Sequence, residues 1–147
     1  MNRREKEQRL KKLFEDSVPF NKVLGLKVES FDPREPKLRF DMKPELIGNP
    51  TRGILHGGVI SAALDVMAGF SIHAAMLDQD KAENSDDFPK MGTIDLRIDY
   101  LRPGRGKYFI ATAKVARLGS RVAVTHMTLE NDEGEQIATG SAAYMIG

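Results

Sequence analysis

Apolar residues recur along this chain in two rhythms, and the changes from one to the other mark out its elements. Over residues 2–18, Leu10, Leu13, Phe14 and Val18 fall at helical spacing and predict an amphipathic helix. Pro19-Phe20 opens a short turn or helix that runs to Leu24 and is closed by Gly25. The rhythm then becomes two. Leu26, Val28 and Ser30 alternate with Lys27, Glu29 and Phe31, which predicts a strand. The prolines of Asp32–Pro36 mark a turn, and Leu38, Phe40 and Met42 alternate with Arg39, Asp41 and Lys43 in a second strand. Residues 44–53 (PELIGNPTRG) read as a loop.

From Ile54 to Leu77 runs the longest apolar stretch of the chain. A helix here is apolar nearly all round, so it is either buried or spans a membrane. Its length, about 20 residues, is enough for a span. Asp65 near its middle argues against that, at a cost of roughly 2.5–3.5 kcal/mol in a bilayer. Ala62, Ala63, Ala68, Ala74 and Ala75 also suit close packing against protein, so the stretch reads as a central helix covered by a sheet.

After it, Asp78–Lys90 is a polar, acidic connection, read as exposed. Ile94, Leu96, Ile98 and Tyr100 then alternate with Thr93, Asp95, Arg97 and Asp99, a strong strand pattern that ends in the turn Arg102–Gly106. Tyr108–Leu118 and Arg121–Glu130 form a hairpin about Gly119-Ser120, and Gln136–Ile146 follows the turn Asp132–Gly134 as the last strand. Short turns between strands make the sheet largely antiparallel. The expected fold is α+β: one domain over residues 1–147, an antiparallel sheet wrapped around one long helix, with a charged helix (about 2–18) at its start.

Composition narrows the chemistry. Zero cysteines among the 147 residues exclude disulfides, thiol nucleophiles and thiolate metal sites. A net charge of +1 gives no case for nucleic-acid binding as the main task. The basic residues Arg3, Arg4, Lys6, Arg9, Lys11 and Lys12 read as a solvated helix face. The opening M-N-R-R-E-K-E-Q has no apolar signal region, which sets a cytoplasmic expectation. His56, His73 and His126 show no metal-ligand spacing, so no metal is expected, and neither a Gly-x-Ser-x-Gly elbow nor a phosphate-binding glycine motif occurs.

The candidate site lies on the central helix. His56-Gly57-Gly58 precedes it, and glycines there leave unobstructed the N–H groups at the positive end of the helix dipole, a place to hold an anion or a developing oxyanion. Asp65 is a carboxylate among apolar neighbours, which needs either a partner or a chemical task. Gly57 and Asp65 are eight residues apart, about 12 Å along a helix, whereas catalytic contacts are on the order of 3 Å. If both act on one carbonyl, the amide and the carboxylate come from different subunits across a two-fold interface. Asn49, before Pro50, reads first as turn chemistry.

These residues, H-G-G-x-x-x-x-x-x-D over 56–65 with the strand T-I-D-L-R-I-D-Y-L-R-P-G over 93–104, resemble the hotdog-fold acyl-CoA thioesterases, in particular their phenylacetate-degradation (PaaI-like) branch. The resemblance covers roughly residues 18–146. It implies hydrolysis of an acyl-CoA thioester with no cofactor beyond the CoA of the substrate, in a homodimer or a dimer of dimers with sites between subunits. It implies Asp65 as general base or nucleophile, Gly57 N–H as the donor polarising the carbonyl, and Asn49 and Thr93 as groups placing the carbonyl or the water. His56 orients the loop. Gly58 and the segment Arg117, Gly119, Ser120 and Arg121 would contact CoA, although a hairpin tip with solvated arginines explains the latter equally well. The connection over 78–90 is longer than in compact members of the branch. A hotdog hydratase or dehydratase and a non-catalytic acyl-CoA binder are the rival readings; the first lacks its His/Asp or His/Glu arrangement here, and the second has no use for the carboxylate. Acyl-chain length and dimer against tetramer stay open.

Overall fold

The computed structural model describes residues 2–78 and 91–147; the acidic connection expected over 78–90 lies outside them except for Asp78, which ends the long helix. Helix α1 spans Arg3–Lys12 and α2 Pro19–Leu24. Strands β1 (Lys27–Ser30) and β2 (Lys37–Asp41) lead to a small hairpin, β3 (Ile47–Asn49) and β4 (Ile54–Leu55). Helix α3 is Gly57–Asp78, followed by β5 (Gly92–Tyr100), β6 (Tyr108–Leu118), β7 (Val122–Asn131) and β8 (Gln136–Met145). Six strands form one antiparallel sheet in the order β1-β2-β6-β7-β8-β5, which leaves β1 and β5 at its edges.

The sheet curls around α3. In β6 and β7 every second residue is buried along most of the strand, and the inner set includes Phe109, Ala111, Ala113, Ala123, Thr125, Met127 and Leu129. The alanines let the helix approach closely. Ala63, Leu64, Met67, Ala68, Phe70, Ile72 and Ala74 of α3 are all 0% exposed. The helix is long and apolar enough to cross a membrane, yet 56% of its apolar stretch is buried inside the fold. Its one deeply buried hydroxyl, Ser71, is satisfied by Ala68 O at 2.7 Å and by Thr125 Oγ1 at 3.1 Å.

Two expectations need correction. The segment over 2–18 is not one regular helix. It is α-helical to Lys12, then widens into a π turn at Leu13–Ser17 before Val18 extends. The wider turn seats Phe14 edge-on against Phe70, with ring centroids 5.2 Å apart. It also swings Glu15 onto the edge strand, where Oε2 accepts the Val28 N–H at 2.8 Å. The buried Asn21 amide donates to the Phe14 carbonyl at 3.0 Å. Residues 44–53, read as a loop, contain a 3-10 turn (Pro44–Leu46) and β3, which pairs with β4 at Ile54–Leu55, the first two residues of the apolar stretch read as helix; both strands are too short for alternation to reveal.

Candidate active site

The chain enters α3 from β4 through His56, whose side chain caps the helix. Its Nδ1 accepts the Gly58 N–H at 2.8 Å, and its carbonyl accepts from Val59 and Ile60 at 2.9 and 3.3 Å. The His56 main-chain N–H donates in turn to Leu46 O at 2.8 Å, which holds the backbone at the helix entry. A Cβ on Gly58 would sit 2.9 Å from Nδ1, so a glycine is needed for the ring to fold back this far. Because Nδ1 accepts, the neutral ring carries its proton on Nε2. The Gly57 N–H meets no acceptor among the described residues. It is therefore an open donor at the positive end of a 22-residue helix. Tyr100, at the end of β5, donates its hydroxyl to the Gly57 carbonyl at 3.0 Å.

The second pole is Asp65, half-buried two turns further on. Thr93 Oγ1 donates to Asp65 Oδ1 at 2.8 Å. The Tyr144 hydroxyl lies 2.5 Å from the same Oδ1 and 2.6 Å from the Asp65 main-chain oxygen. No donor among the described residues reaches Oδ2. Burial, and then the hydrogen bond to Asp65, push the Tyr144 phenol well above its ordinary range, with Thr93 pulling weakly the other way. The phenol stays protonated and acts as a donor.

Simple alternation would turn Thr93 away from the helix, on the face opposite Leu96 and Ile98. A β-bulge between Thr93 and Asp95 reverses this. Leu96 pairs with Ala142, so an unbroken ladder would set Ile94 opposite Tyr144; instead Thr93 takes that place and Ile94 is left unpaired, 58% exposed. Bulges next to active sites often re-aim a side chain in this way. Tyr100 keeps the inward phase but sits at the open end of the helix, 55% exposed.

The candidate residues thus fall into three places. His56, Gly57 and Gly58 form the helix start, and Asp65 and Thr93 the carboxylate pole. Asn49 lies in the β3–β4 turn, where its Oδ1 accepts from the Thr51 and Arg52 N–H groups at 3.1 and 3.3 Å. Arg117, Gly119, Ser120 and Arg121 make the β6–β7 hairpin tip, with both arginines exposed and the Gly119 N–H bonded to Val122 O at 3.0 Å. Strand register sets that tip at the same end of the sheet as Tyr144, since Val122 pairs with Met145 and the Ile146 N–H reaches Arg121 O at 2.8 Å. Sequence reasoning missed Tyr144 and Tyr100. The signal for Tyr144 was available: an inward-phased tyrosine in the alanine-rich strand Gln136–Met145 needs a partner for its hydroxyl.

A braced carboxylate with one free oxygen can take a proton or attack a carbonyl, and an open helix-start amide can steady an oxyanion. On its own helix each lies about 12 Å from the other, eight residues at 1.5 Å.

An antiparallel sheet curled round one long helix, with its chemistry at the helix start and on the helix flank, is the hotdog fold of thioester-processing enzymes. The chain belongs to the thioesterase superfamily, whose family profile matches residues 52–138. The medium/long-chain acyl-CoA thioesterase YigI of Escherichia coli (strain K12) is 43% identical over 148 residues, which cover 96% of each chain. A solved Shewanella oneidensis protein, described as related to the thioesterase superfamily, superposes with a TM-score of 0.87 at 40% identity, covering 99% of this chain and 97% of that one. A thioesterase family protein from Silicibacter pomeroyi, 24% identical, shares the fold with a TM-score of 0.77 over 97% of this chain and 99% of its own.

Proposed function

We propose that this chain hydrolyses the thioester of medium- to long-chain acyl-CoA, releasing free acid and CoA. The observation that carries the reading is the Asp65 carboxylate, with Oδ1 engaged by the Thr93 and Tyr144 hydroxyls and Oδ2 uncommitted among the described residues. Oδ2 takes a proton from water as the water oxygen bonds to the thioester carbon. The carbonyl π electrons move onto oxygen, and that oxyanion accepts the Gly57 N–H. When the carbonyl re-forms, the C–S bond breaks with its electron pair going to sulfur, and the proton held by Asp65 passes to the thiolate. The products are a carboxylic acid, which ionises at neutral pH, and the CoA thiol. Direct attack by Oδ2, through a mixed anhydride that water then opens, uses the same groups.

The acyl preference is carried by the likeness to YigI. His56 holds the loop in this scheme, Asn49 can offer its side-chain amide to the carbonyl or the water, and Gly58 with the Arg117–Arg121 tip receives CoA. The catalytic unit is a homo-oligomer with sites between subunits. Supporting this are the 12 Å estimate above and the exposed apolar residues Ile94, Tyr100 and Leu101 (58%, 55% and 49%) on and just beyond the edge strand β5.

The test is release of free thiol from a series running from butyryl- to palmitoyl-CoA, with an aryl-CoA beside it. Turnover with an optimum among the longer chains is expected. Binding of these compounds with no thiol release would overturn the hydrolase reading in favour of an acyl-CoA binder.

A further inference from the structure

We infer that Tyr144 is a positioning residue for the Asp65 carboxylate, its phenol and the Thr93 hydroxyl jointly holding Oδ1 so that Oδ2 is the oxygen left to act. The inference rests on the hydrolase reading above and adds to it a residue on the last strand.

Three features build the arrangement. The first is Gly69, one helical turn after Asp65. A glycine inside a helix costs about 1 kcal/mol against alanine, and this one is wholly enclosed in the fold. A Cβ placed there would meet the Tyr144 ring at 3.4 Å, an ordinary contact, so the ring lies against this turn of the helix with no space for a side chain beyond a methyl group. Glycine opens a notch in which the ring lies flush against α3. The second is the phenol itself. It contacts the carboxylate Oδ1 at 2.5 Å and the main-chain oxygen of the same residue at 2.6 Å. The phenol has one proton, shared between these two oxygens, and because the main-chain oxygen belongs to the rigid helix the shared bond ties the carboxylate rotamer to the helix axis. The third is the bulge in β5, which sets Thr93 directly opposite Tyr144 in the ladder and so brings a second hydroxyl to the same oxygen from the neighbouring strand.

Two donors on one oxygen do something one cannot. A single hydrogen bond lets the carboxylate swing about it, exchanging Oδ1 and Oδ2. Donors from two strands, one of them also anchored to main chain, fix both the plane of the carboxylate and the identity of the free oxygen. Catalytic groups must be held this closely, because small misplacements cost large factors in rate. Tyr144 touches no substrate in this account; it acts through Asp65.

The experiment compares Tyr144→Phe, Thr93→Val, the double variant and Asp65→Asn by steady-state kinetics on the best acyl-CoA, with thermal midpoints alongside. Phenylalanine keeps the ring in the notch and removes only the hydroxyl. Tyr144→Phe is expected to lower kcat by about 10- to 100-fold, the scale of one hydrogen bond to a charged group, with KM and the thermal midpoint little changed. The double variant should lose less than the product of the single losses, since each hydroxyl braces the same oxygen. Unchanged kcat in Tyr144→Phe, with Asp65→Asn inactive, would overturn the inference and leave the hydrolase reading standing. A fall in kcat matched by a rise in KM and a lower midpoint would also overturn it, because Tyr144 would then act through the fold. Full activity of Asp65→Asn would remove the reading beneath both.

Discussion

Mixing two inactive variants tests whether the helix start and the carboxylate serve one reaction from different subunits. The perturbations are Gly57→Pro and Asp65→Asn. Gly57 is the first residue of α3, where proline is tolerated, because the missing N–H has no helical partner and the ring suits the first turn. A Cβ there would meet the Tyr100 ring at 3.6 Å, an ordinary contact, so the fold should accept the change. Only the open donor is lost, and losses of about 10²–10³ in kcat are usual for one such donor. Asp65→Asn should cost on the order of 10²–10⁴. If Gly57 and Asp65 act on one carbonyl across a two-fold axis, each mixed dimer holds one intact pairing and one doubly damaged pairing. Half of randomly formed dimers are mixed, so activity should return to about one quarter of wild type. A site built within one chain has a lesion in every copy and recovers nothing. The assay is thiol release after subunit exchange, with mixing verified by mass spectrometry. No recovery in verified hybrids would refute the reasoning from helix length.

Thr93→Val should lower kcat by about tenfold with little effect on stability, since the hydroxyl bonds a charged group and the residue lies on the exposed edge strand; thermal denaturation beside kinetics checks both halves. His73 should sensitise the fold to acid. Burial lowers its affinity for a proton below the ordinary 6.5, with the bond to Gly69 O working weakly the other way. The unfolded chain therefore binds that proton more readily than the folded one. Stability from this group is complete above about pH 6.5 and is lost as pH falls below it. Urea midpoints of wild type should drop on going from neutral pH to about pH 5, and His73→Leu should flatten that slope; parallel slopes would show that another group is responsible.

The fold was largely legible in the hydrophobic pattern. Asp65 and the alanines around it decided for a covered helix over a membrane span, and the two strands Tyr108–Leu118 and Val122–Asn131 about a glycine turn set the centre of the sheet. What escaped are features that break period. The π turn at Leu13–Ser17 keeps nearly helical spacing, so apolar positions alone cannot distinguish it from α-helix. The bulge at Ile94 inserts one residue into an otherwise regular strand, and periodicity then puts Ile94 inside and Thr93 outside, the reverse of what the ladder does. Thr93 was singled out by resemblance alone, and the bulge supplies the physical reason it can reach Asp65. For Tyr144 the inward phase signals that its hydroxyl needs a partner, but the partner's identity, 79 positions away, is something no local pattern encodes.

Replacing Asp65 by asparagine, with acyl-CoA binding and turnover measured on the same sample, bears most directly on the central claim. Asparagine keeps the size of the side chain and still lets Oδ1 accept from Thr93 and Tyr144, but it can neither take a proton from water nor attack the thioester. The account predicts a protein that folds, assembles and binds long-chain acyl-CoA as wild type does, with thiol release reduced by on the order of 10²–10⁴. Turnover equal to wild type would contradict it and move the chemistry off the central helix.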